Sequence, residues 1–200
     1  MFEVGTRFAE GRGIQQDFKQ AIKWYTRAAT KSFALAQYRL AALYERGLGG
    51  KKDLARAKIW YERAARQGNV KSMHNLAVLT AGSQVGSSDY ATAAQWFTQA
   101  AERGLTDSQF NLAILYENGL GVQKDLSKAY HWFGIAARSG DRDAAKRHQS
   151  LRAKIGEQSA RTTDAAIANW RRQVTSRIAN DARHAGSQWQ RQQKTTKTNG

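Results

Sequence analysis

The chain has 200 residues and a net charge of +16, contains neither cysteine nor proline, and is 41% hydrophobic. This composition suffices for a buried core, and it excludes a disulfide scaffold, a thiolate zinc site and a wholly disordered chain. No apolar run reaches the length of a membrane span, and the N-terminus lacks the basic head and apolar block of a signal peptide. These features predict a cytoplasmic location.

The positive charge lies at the two ends of the chain. Residues 1–32 carry +3 and residues 33–68 carry +5, whereas residues 69–104 and 105–140 are each neutral. The remaining residues, 141–200, carry +8. Nucleic-acid binding along the whole chain would need a continuous basic surface. The neutral middle therefore argues against that function for residues 1–140.

A pattern with a period of 36 residues organises residues 1–140. The pattern contains an aspartate, a tryptophan followed by a second aromatic residue, and a pair of alanines. The aspartates and tryptophans are Asp17, Asp53, Asp89 and Asp125, and Trp24, Trp60, Trp96 and Trp132. Such a period is the signature of a repeat array. It predicts four units of 36 residues, of which the first is truncated, so the chain is expected to begin inside a repeat.

Each unit is predicted to be a pair of helices, A and B. In the second unit, helix A spans roughly residues 34–46 and ends at the glycines of Gly47-Leu48-Gly49, which accept the left-handed backbone. Asp53 is predicted to cap helix B, which continues to about Arg66. One face of helix B combines large rings with small alanines, a pattern typical of close helix packing.

The aromatic pair of helix B is predicted to supply the core. The four tryptophans are expected to be mostly buried, and their neighbours are expected to pack between repeats. Those neighbours are Tyr25, Tyr61, Phe97 and Phe133.

The chain beyond residue 140 is predicted to form a basic helical cap at 141–185, followed by a disordered polar tail at 186–200. A helix over about residues 157–183 would place four arginines beside apolar residues at spacings of three and four. The arginines are Arg171, Arg172, Arg177 and Arg183. Such a basic amphipathic helix is typical of an anionic membrane surface or a partner surface, while a capping helix with a solvated outer face fits the same pattern.

Catalytic and metal-binding patterns are missing from the sequence. The four histidines have no acidic residue or second histidine at metal-ligand spacing, and the Gly-x-Gly turns lack the Lys-Ser/Thr of a nucleotide loop. No nucleophile or paired carboxylates are recognisable. The sequence therefore predicts a protein that is not an enzyme and has no metal, cofactor or small-molecule substrate.

The repeat unit resembles the Sel1-like repeat, a relative of the tetratricopeptide repeat. The resemblance rests on Leu112-Ala113, Tyr116, the turn Gly119–Val122, Asp125 and Trp132-Phe133. It implies an all-α, right-handed solenoid of antiparallel helix pairs that acts as a scaffold for protein contacts. A narrower resemblance, to alphaproteobacterial polar-localisation factors of the PodJ type, implies a role in the cell envelope and a periplasmic location for a fragment of a membrane-anchored protein.

The resemblance also implies a binding surface, because the groove of such arrays is lined by helix A and takes a protein or peptide. Asn75 and Asn111 share a repeat position with Arg39, and in related helical repeats an asparagine there binds the backbone of an extended peptide. Further outward candidates on helix A are Gln37, Lys71 and Gln109.

Two other functions remain open from the sequence. The first is a cationic adaptor in which residues 157–200 bind an anionic membrane or nucleic acid. The second is a regulator of an envelope hydrolase.

Overall fold

A computed structural model describes residues 1–82 and 86–184 of the chain. Within these ranges the protein is α-helical and has no strands, so the predicted all-α class is confirmed. The helices are α1 (Phe2–Glu10), α2 (Phe18–Ala29), α3 (Ala34–Arg46), α4 (Leu54–Arg66), α5 (Val70–Ala81), α6 (Tyr90–Glu102), α7 (Thr106–Asn118), α8 (Leu126–Arg138), α9 (Arg142–Ile155), α10 (Glu157–Asn169) and α11 (Arg177–Asn180).

The described residues divide into two compact units. The N-terminal unit contains residues 1–72 and 175–184, and the C-terminal unit contains residues 73–174. In the N-terminal unit, α1 packs on α2, α2 on α3, and α3 on α4. In the C-terminal unit, the same order holds from α6 to α9, and α10 packs on α8 and α9. Helices α1, α3, α5 and α7 are the A helices of the four repeats, and α2, α4, α6 and α8 are the B helices.

Aspartates begin the four B helices. The side chain of Asp53 accepts a hydrogen bond from the backbone N–H of Arg56 at 2.8 Å. Asp17, Asp89 and Asp125 accept equivalent bonds. Each carboxylate thereby satisfies one of the amides that a helix start leaves unpaired, and it lies at the positive end of the helix dipole.

The second glycine of the Gly-x-Gly turn allows a close approach between backbones. Gly121 has φ +65°, and a Cβ atom built there would lie 2.2 Å from the carbonyl carbon of Tyr90, the first residue of α6. Gly13, at the same repeat position, has φ +73° but meets nothing nearer than the end of the flexible Arg7 side chain, at 3.6 Å. At this position the first repeat needs glycine only for its backbone conformation. The fourth repeat needs it both for the conformation and for the close approach of α6.

An aromatic contact between helix A and helix B recurs in every repeat. The paired residues are 23 positions apart, and their ring centroids lie 5.3–6.1 Å from each other. The pairs are Phe2–Tyr25, Tyr38–Tyr61, His74–Phe97 and Phe110–Phe133. The helix B member is buried each time, with at most 3% of its surface exposed.

The tryptophans lie at the edge of the core. All four are partly buried, and Trp60, Trp96 and Trp132 pack against the buried clusters without being fully enclosed. The guanidinium of Arg63 lies over the Trp60 ring at 4.6 Å, and that of Arg27 lies over Trp24 at 4.9 Å. Because adjacent residues on a helix point about 100° apart, only one of the two rings can face the centre of the helix pair. The Tyr or Phe takes that place.

Residues 157–183 do not form the single amphipathic helix that the spacing of their apolar residues predicted. Helix α10 ends at Asn169, and Trp170 has extended backbone angles of φ −61° and ψ 136°. The ring of Trp170 packs edge-on against Trp132 at 6.5 Å, and the Gln173 amide donates to the Glu102 carbonyl at 2.8 Å. These contacts replace the helical ones, and Val174 is left 95% exposed. The predicted disordered tail, 186–200, lies outside the described residues.

Phe97→Ala is expected to destabilise the protein far more than Trp96→Ala. Truncating the buried ring removes a large apolar surface and leaves a cavity, which costs about 3–5 kcal/mol, whereas the half-buried indole loses about 2 kcal/mol. Urea unfolding followed by circular dichroism measures both variants. Equal losses of stability would contradict the assignment of the core to the second aromatic residue.

Gly121→Ala is expected to cost more stability than Gly13→Ala. Both substitutions place a side chain at positive φ, at about 1–2 kcal/mol each. Only the first also forces α6 to move, which adds about 1–3 kcal/mol. Thermal melting of the two variants isolates this packing contribution. An equal shift in Tm would show that the close approach to Tyr90 does not matter.

Candidate protein-interaction surface

Helices α5 and α7 each keep one stripe of exposed and partly buried side chains after the core has formed. In α7 the stripe consists of Asp107, Asn111 and Ile114, at spacings of four and three residues that place them on one face. Asp107 is exposed, and Asn111 and Ile114 are partly buried. The opposite face of α7, with Gln109, Leu112 and Ala113, is buried. The burial of that face determines which side chains of α7 are available to a partner.

The corresponding stripe of α5 consists of Lys71, Asn75 and Val78. Lys71 is exposed, Asn75 is partly buried, and Val78 is 43% exposed. Each stripe therefore has a charged residue at its start, an amide in the middle and an aliphatic side chain after it. Side chains of this kind offer hydrogen bonds next to apolar surface, as peptide grooves do.

The central asparagines have their hydrogen-bonding groups available. Within the part of the chain that the structure describes, neither Asn75 nor Asn111 uses its side-chain amide in a hydrogen bond. An asparagine amide supplies both a donor and an acceptor, which match the C=O and N–H groups of a peptide backbone.

Helices α5 and α7 are in direct contact. Nδ1 of His74 lies 2.9 Å from Oγ of Ser108, which is fully buried. The two asparagine positions are therefore offered on neighbouring helices of the C-terminal unit.

Arg39 lies on α3 in the N-terminal unit and is exposed. Its Nη2 atom is 4.0 Å from Oε1 of Glu10, and its side chain is 49% exposed. An ion pair of this length and exposure contributes little to stability. The guanidinium is thus available to an acidic or carbonyl group of a partner.

Gln37 and Gln109 do not face outward, in contrast to their prediction. They are 3% and 0% exposed. Nε2 of Gln37 donates to the Ala29 carbonyl at 3.0 Å, and Nε2 of Gln109 donates to the Ala101 carbonyl at 3.1 Å. The last carbonyls of a helix have no partner within it, and each glutamine supplies one from the next helix. Their 72-residue separation, and their position eight residues after an alanine pair, are the sequence signal for this role.

The four arginines of the predicted basic surface are not on one helix. Arg171 and Arg172 follow α10 in extended backbone, and Arg171 donates to the carbonyls of Ala168 and Trp170. Arg177 begins α11, and Arg183 follows it. All four are exposed, but the apolar face that would have inserted into a membrane does not form.

A polar cluster that the sequence did not reveal joins α8, α9 and α10. The Tyr130 hydroxyl donates to Oδ1 of Asp164 at 2.7 Å, and Nη1 of Arg152 donates to Oδ2 of the same carboxylate at 2.7 Å. The His148 ring stacks on Tyr130 at 3.8 Å. Partial burial acts to raise the pKa of Asp164, but the hydrogen bonds from Arg152 and Tyr130 outweigh it and hold the pKa below its ordinary value. Both carboxylate oxygens are occupied, so the cluster serves to attach α10.

The described residues contain no group of three potential metal ligands. Nor do they include a helix with the length and apolar character needed to cross a bilayer.

The sequence profile of the Sel1 repeat matches four consecutive segments, residues 1–33, 34–69, 70–105 and 106–141. The chain belongs to the Sel1 repeat family. The matched segments agree with the helix pairs and with the 36-residue period, including the shortened first unit. Proteins of this family generally act as non-catalytic scaffolds that bind other proteins.

Two solved structures resemble the fold of this Sel1 repeat protein. One is c5321, a protective antigen of uropathogenic Escherichia coli with an SLR fold, at 26% identity and a TM-score of 0.72. The match covers 84% of this chain but only 37% of that protein. The other is a Sel1 repeat protein from Oxalobacter formigenes, at 28% identity and a TM-score of 0.72, with 86% and 72% of the two chains covered. No curated protein sequence gives a significant match.

Asp164→Asn is expected to lower the Tm at pH 7 but not in acid. Because folding lowers the pKa of this carboxyl, its stabilisation is complete above the unfolded pKa of about 3.9 and is lost as pH falls through the folded value. The side chain is 40% exposed, so solvent screening limits the expected loss to about 1 kcal/mol. Melting curves between pH 3 and pH 7 measure it.

The matched control is Asp143→Asn, on α9. Asp143 is 76% exposed and pairs with Lys146, at 3.2 Å, within one helix. That variant should melt like the wild type at every pH. A Tm difference for Asp164→Asn that persisted unchanged at pH 3 would contradict the role of its charge.

Proposed function

We propose that this protein is a non-catalytic scaffold that binds an extended peptide segment of a partner protein along the exposed stripes of its A helices. The observation that supports it most directly is the pair Asn75 and Asn111. The two residues occupy the same repeat position, both amides are available, and an aliphatic side chain, Val78 or Ile114, follows each.

We expect one peptide conformation to suit two amides on neighbouring A helices that are joined by the contact between His74 and Ser108. A polyproline II segment rises about 3.1 Å per residue and repeats its orientation every three residues, or about 9 Å. Its backbone would meet one asparagine per repeat in the same way, and the side chains between would contact Val78 and Ile114.

The charge around the stripes indicates a partner segment without a strong charge of its own. Residues 69–104 and 105–140 are each neutral, and the stripes begin with one lysine and one aspartate. Affinity should therefore depend only weakly on salt. In the N-terminal unit, the exposed Arg39 offers a separate contact for an acidic or carbonyl group of a partner.

The double variant Asn75→Ala/Asn111→Ala is expected to bind such a segment about 10- to 30-fold more weakly, because two hydrogen bonds of about 1 kcal/mol each are lost. The segment would be selected from a displayed library of 12-residue peptides against the wild-type chain, and affinities would then be measured by fluorescence anisotropy with purified protein.

Gln95→Ala/Gln123→Ala serves as the control, since it removes two exposed amides that lie outside the A helices. It should bind like the wild type. If the asparagine variant kept full affinity for every selected peptide while melting normally, the proposed groove would be wrong. The single variant Arg39→Ala separately tests whether the exposed guanidinium on α3 contacts a partner.

Three more specific functional predictions from the sequence differ in how much support they have. A role in cell-envelope or polar organisation stays a prediction, as does the regulation of an envelope hydrolase. The cationic adaptor, with residues 157–200 on an anionic surface, loses the amphipathic helix that motivated it. Its remaining support is the exposure of the four arginines and the charge of +8 on residues 141–200.

A further inference from the structure

The short helix α11 is docked in the N-terminal unit, against the start of an A helix far from it in sequence. It binds at the corner formed by Gly68, Asn69 and Val70, between the end of α4 and the start of α5. Ala179, in α11, is only 2% exposed there, although it lies in a segment that is otherwise mostly exposed. This burial marks α11 as a specifically bound segment.

Three hydrogen bonds join the corner to the last two residues of α11. The Asn69 side-chain amide donates to the Ala179 carbonyl. The Asn180 side-chain amide donates to the Gly68 carbonyl at 2.9 Å, and its Oδ1 accepts from the Val70 amide at 2.9 Å. The corner therefore binds one backbone carbonyl and both the oxygen and the nitrogen of one asparagine side-chain amide. A side chain with both an acceptor and a donor is needed at that last position.

Asn69 has two separate tasks at this corner. Its Oδ1 accepts from the Ser72 amide at 2.9 Å, so the oxygen caps α5. Its Nδ2 therefore points away from α5 and donates to the Ala179 carbonyl. Asn69 is itself 2% exposed. With α11 in place both groups of this amide are bonded, which avoids the cost of burying an unpaired polar group.

The other repeats carry different residues at this position. Phe33 and Leu105 provide no side-chain cap. Asp141 caps α9 by accepting from the amides of Asp143 and Ala144, but a carboxylate has no N–H group to donate. Asn69 is the one residue of this set that can both cap its helix and donate to a peptide. This difference between Asn69 and its equivalents indicates that the corner has a binding role that the other repeats lack.

We propose that the corner formed by Gly68, Asn69 and Val70 is a peptide-binding site for a segment in which a small residue precedes an asparagine, and that residues 176–180 occupy it as an internal ligand. A partner segment of the same chemistry competes with the internal one. Because a tethered segment has an effective concentration of about 1 mM, the site opens to partners only when the internal segment is weakened or displaced. This site is separate from the stripes of the A helices, and it does not depend on them.

The probe for the site is a labelled synthetic peptide with the sequence of residues 174–184. It is titrated by anisotropy into the full-length wild type and into full-length Asn180→Ala. The variant should bind the peptide at least 10-fold more tightly than the wild type, since its internal segment no longer makes two of the three bonds. A peptide with alanine in place of its own asparagine should not bind either protein.

Asn69→Asp, added to Asn180→Ala, tests the corner itself. The aspartate keeps the oxygen that caps α5, as Asp141 does for α9, but it removes the donor to the peptide carbonyl. Peptide affinity should fall at least 10-fold while the Tm stays close to that of Asn180→Ala. Equal affinity of the peptide for wild type, single variant and double variant would overturn the proposal.

Amide hydrogen exchange provides a second, independent measurement. The Val70 amide, which Asn180 holds, should exchange at least 10-fold faster in Asn180→Ala, whereas the Ser72 amide, which Asn69 holds, should not change. Unchanged exchange at Val70 would overturn the internal occupancy. A wild-type dimer that dissociates on dilution and is lost in Asn180→Ala would also overturn it, because the segment would then be bound to a second copy.

Discussion

The contact between one aromatic ring on helix A and one on helix B is the interaction on which the rest of each repeat depends. It brings together residues 23 positions apart, and it fixes the rotation of both helices about their own axes. Once the helix B ring is buried, the neighbouring small residues must face the same side, where alanine permits close approach of the backbones. The pairs are Phe2–Tyr25, Tyr38–Tyr61, His74–Phe97 and Phe110–Phe133.

This contact also determines what each helix leaves exposed. On helix B, the tryptophan next to the buried ring is turned about 100° away and becomes a partly exposed surface that an arginine covers, as Arg63 covers Trp60. On helix A, the face opposite the core carries the positions of Asn75 and Asn111. The core therefore selects the candidate binding residues without contacting them, and a change in the aromatic pair would move the stripe as well as weaken the fold.

Much of this architecture follows from the period alone, because the same residue at the same place four times has a common structural cause. The aspartate caps, the glycine turns and the helix pairs are of this kind. The period does not reveal which of two adjacent aromatic residues is buried, since that depends on the ring facing it from helix A. It also did not separate Gln109 from Asn111, two polar residues on one helix, of which the first bonds a buried carbonyl. Beyond residue 140 the period ends, and there the predicted helix over 157–183 was wrong.

Departures from the period carry information of a different kind. A residue that repeats is explained by stacking, whereas one that does not repeat needs a local partner. Trp170, outside the four repeats, has Trp132 as its partner, and the chain leaves the helix there. Asn69 replaces the apolar or acidic residue of the other repeats, and its extra donor meets Ala179. In both places the exception joins a repeat to a residue beyond the fourth repeat. If the corner binds partners as proposed, a partner must offer the same pair of groups that residues 179 and 180 offer, a backbone carbonyl followed by an amide side chain.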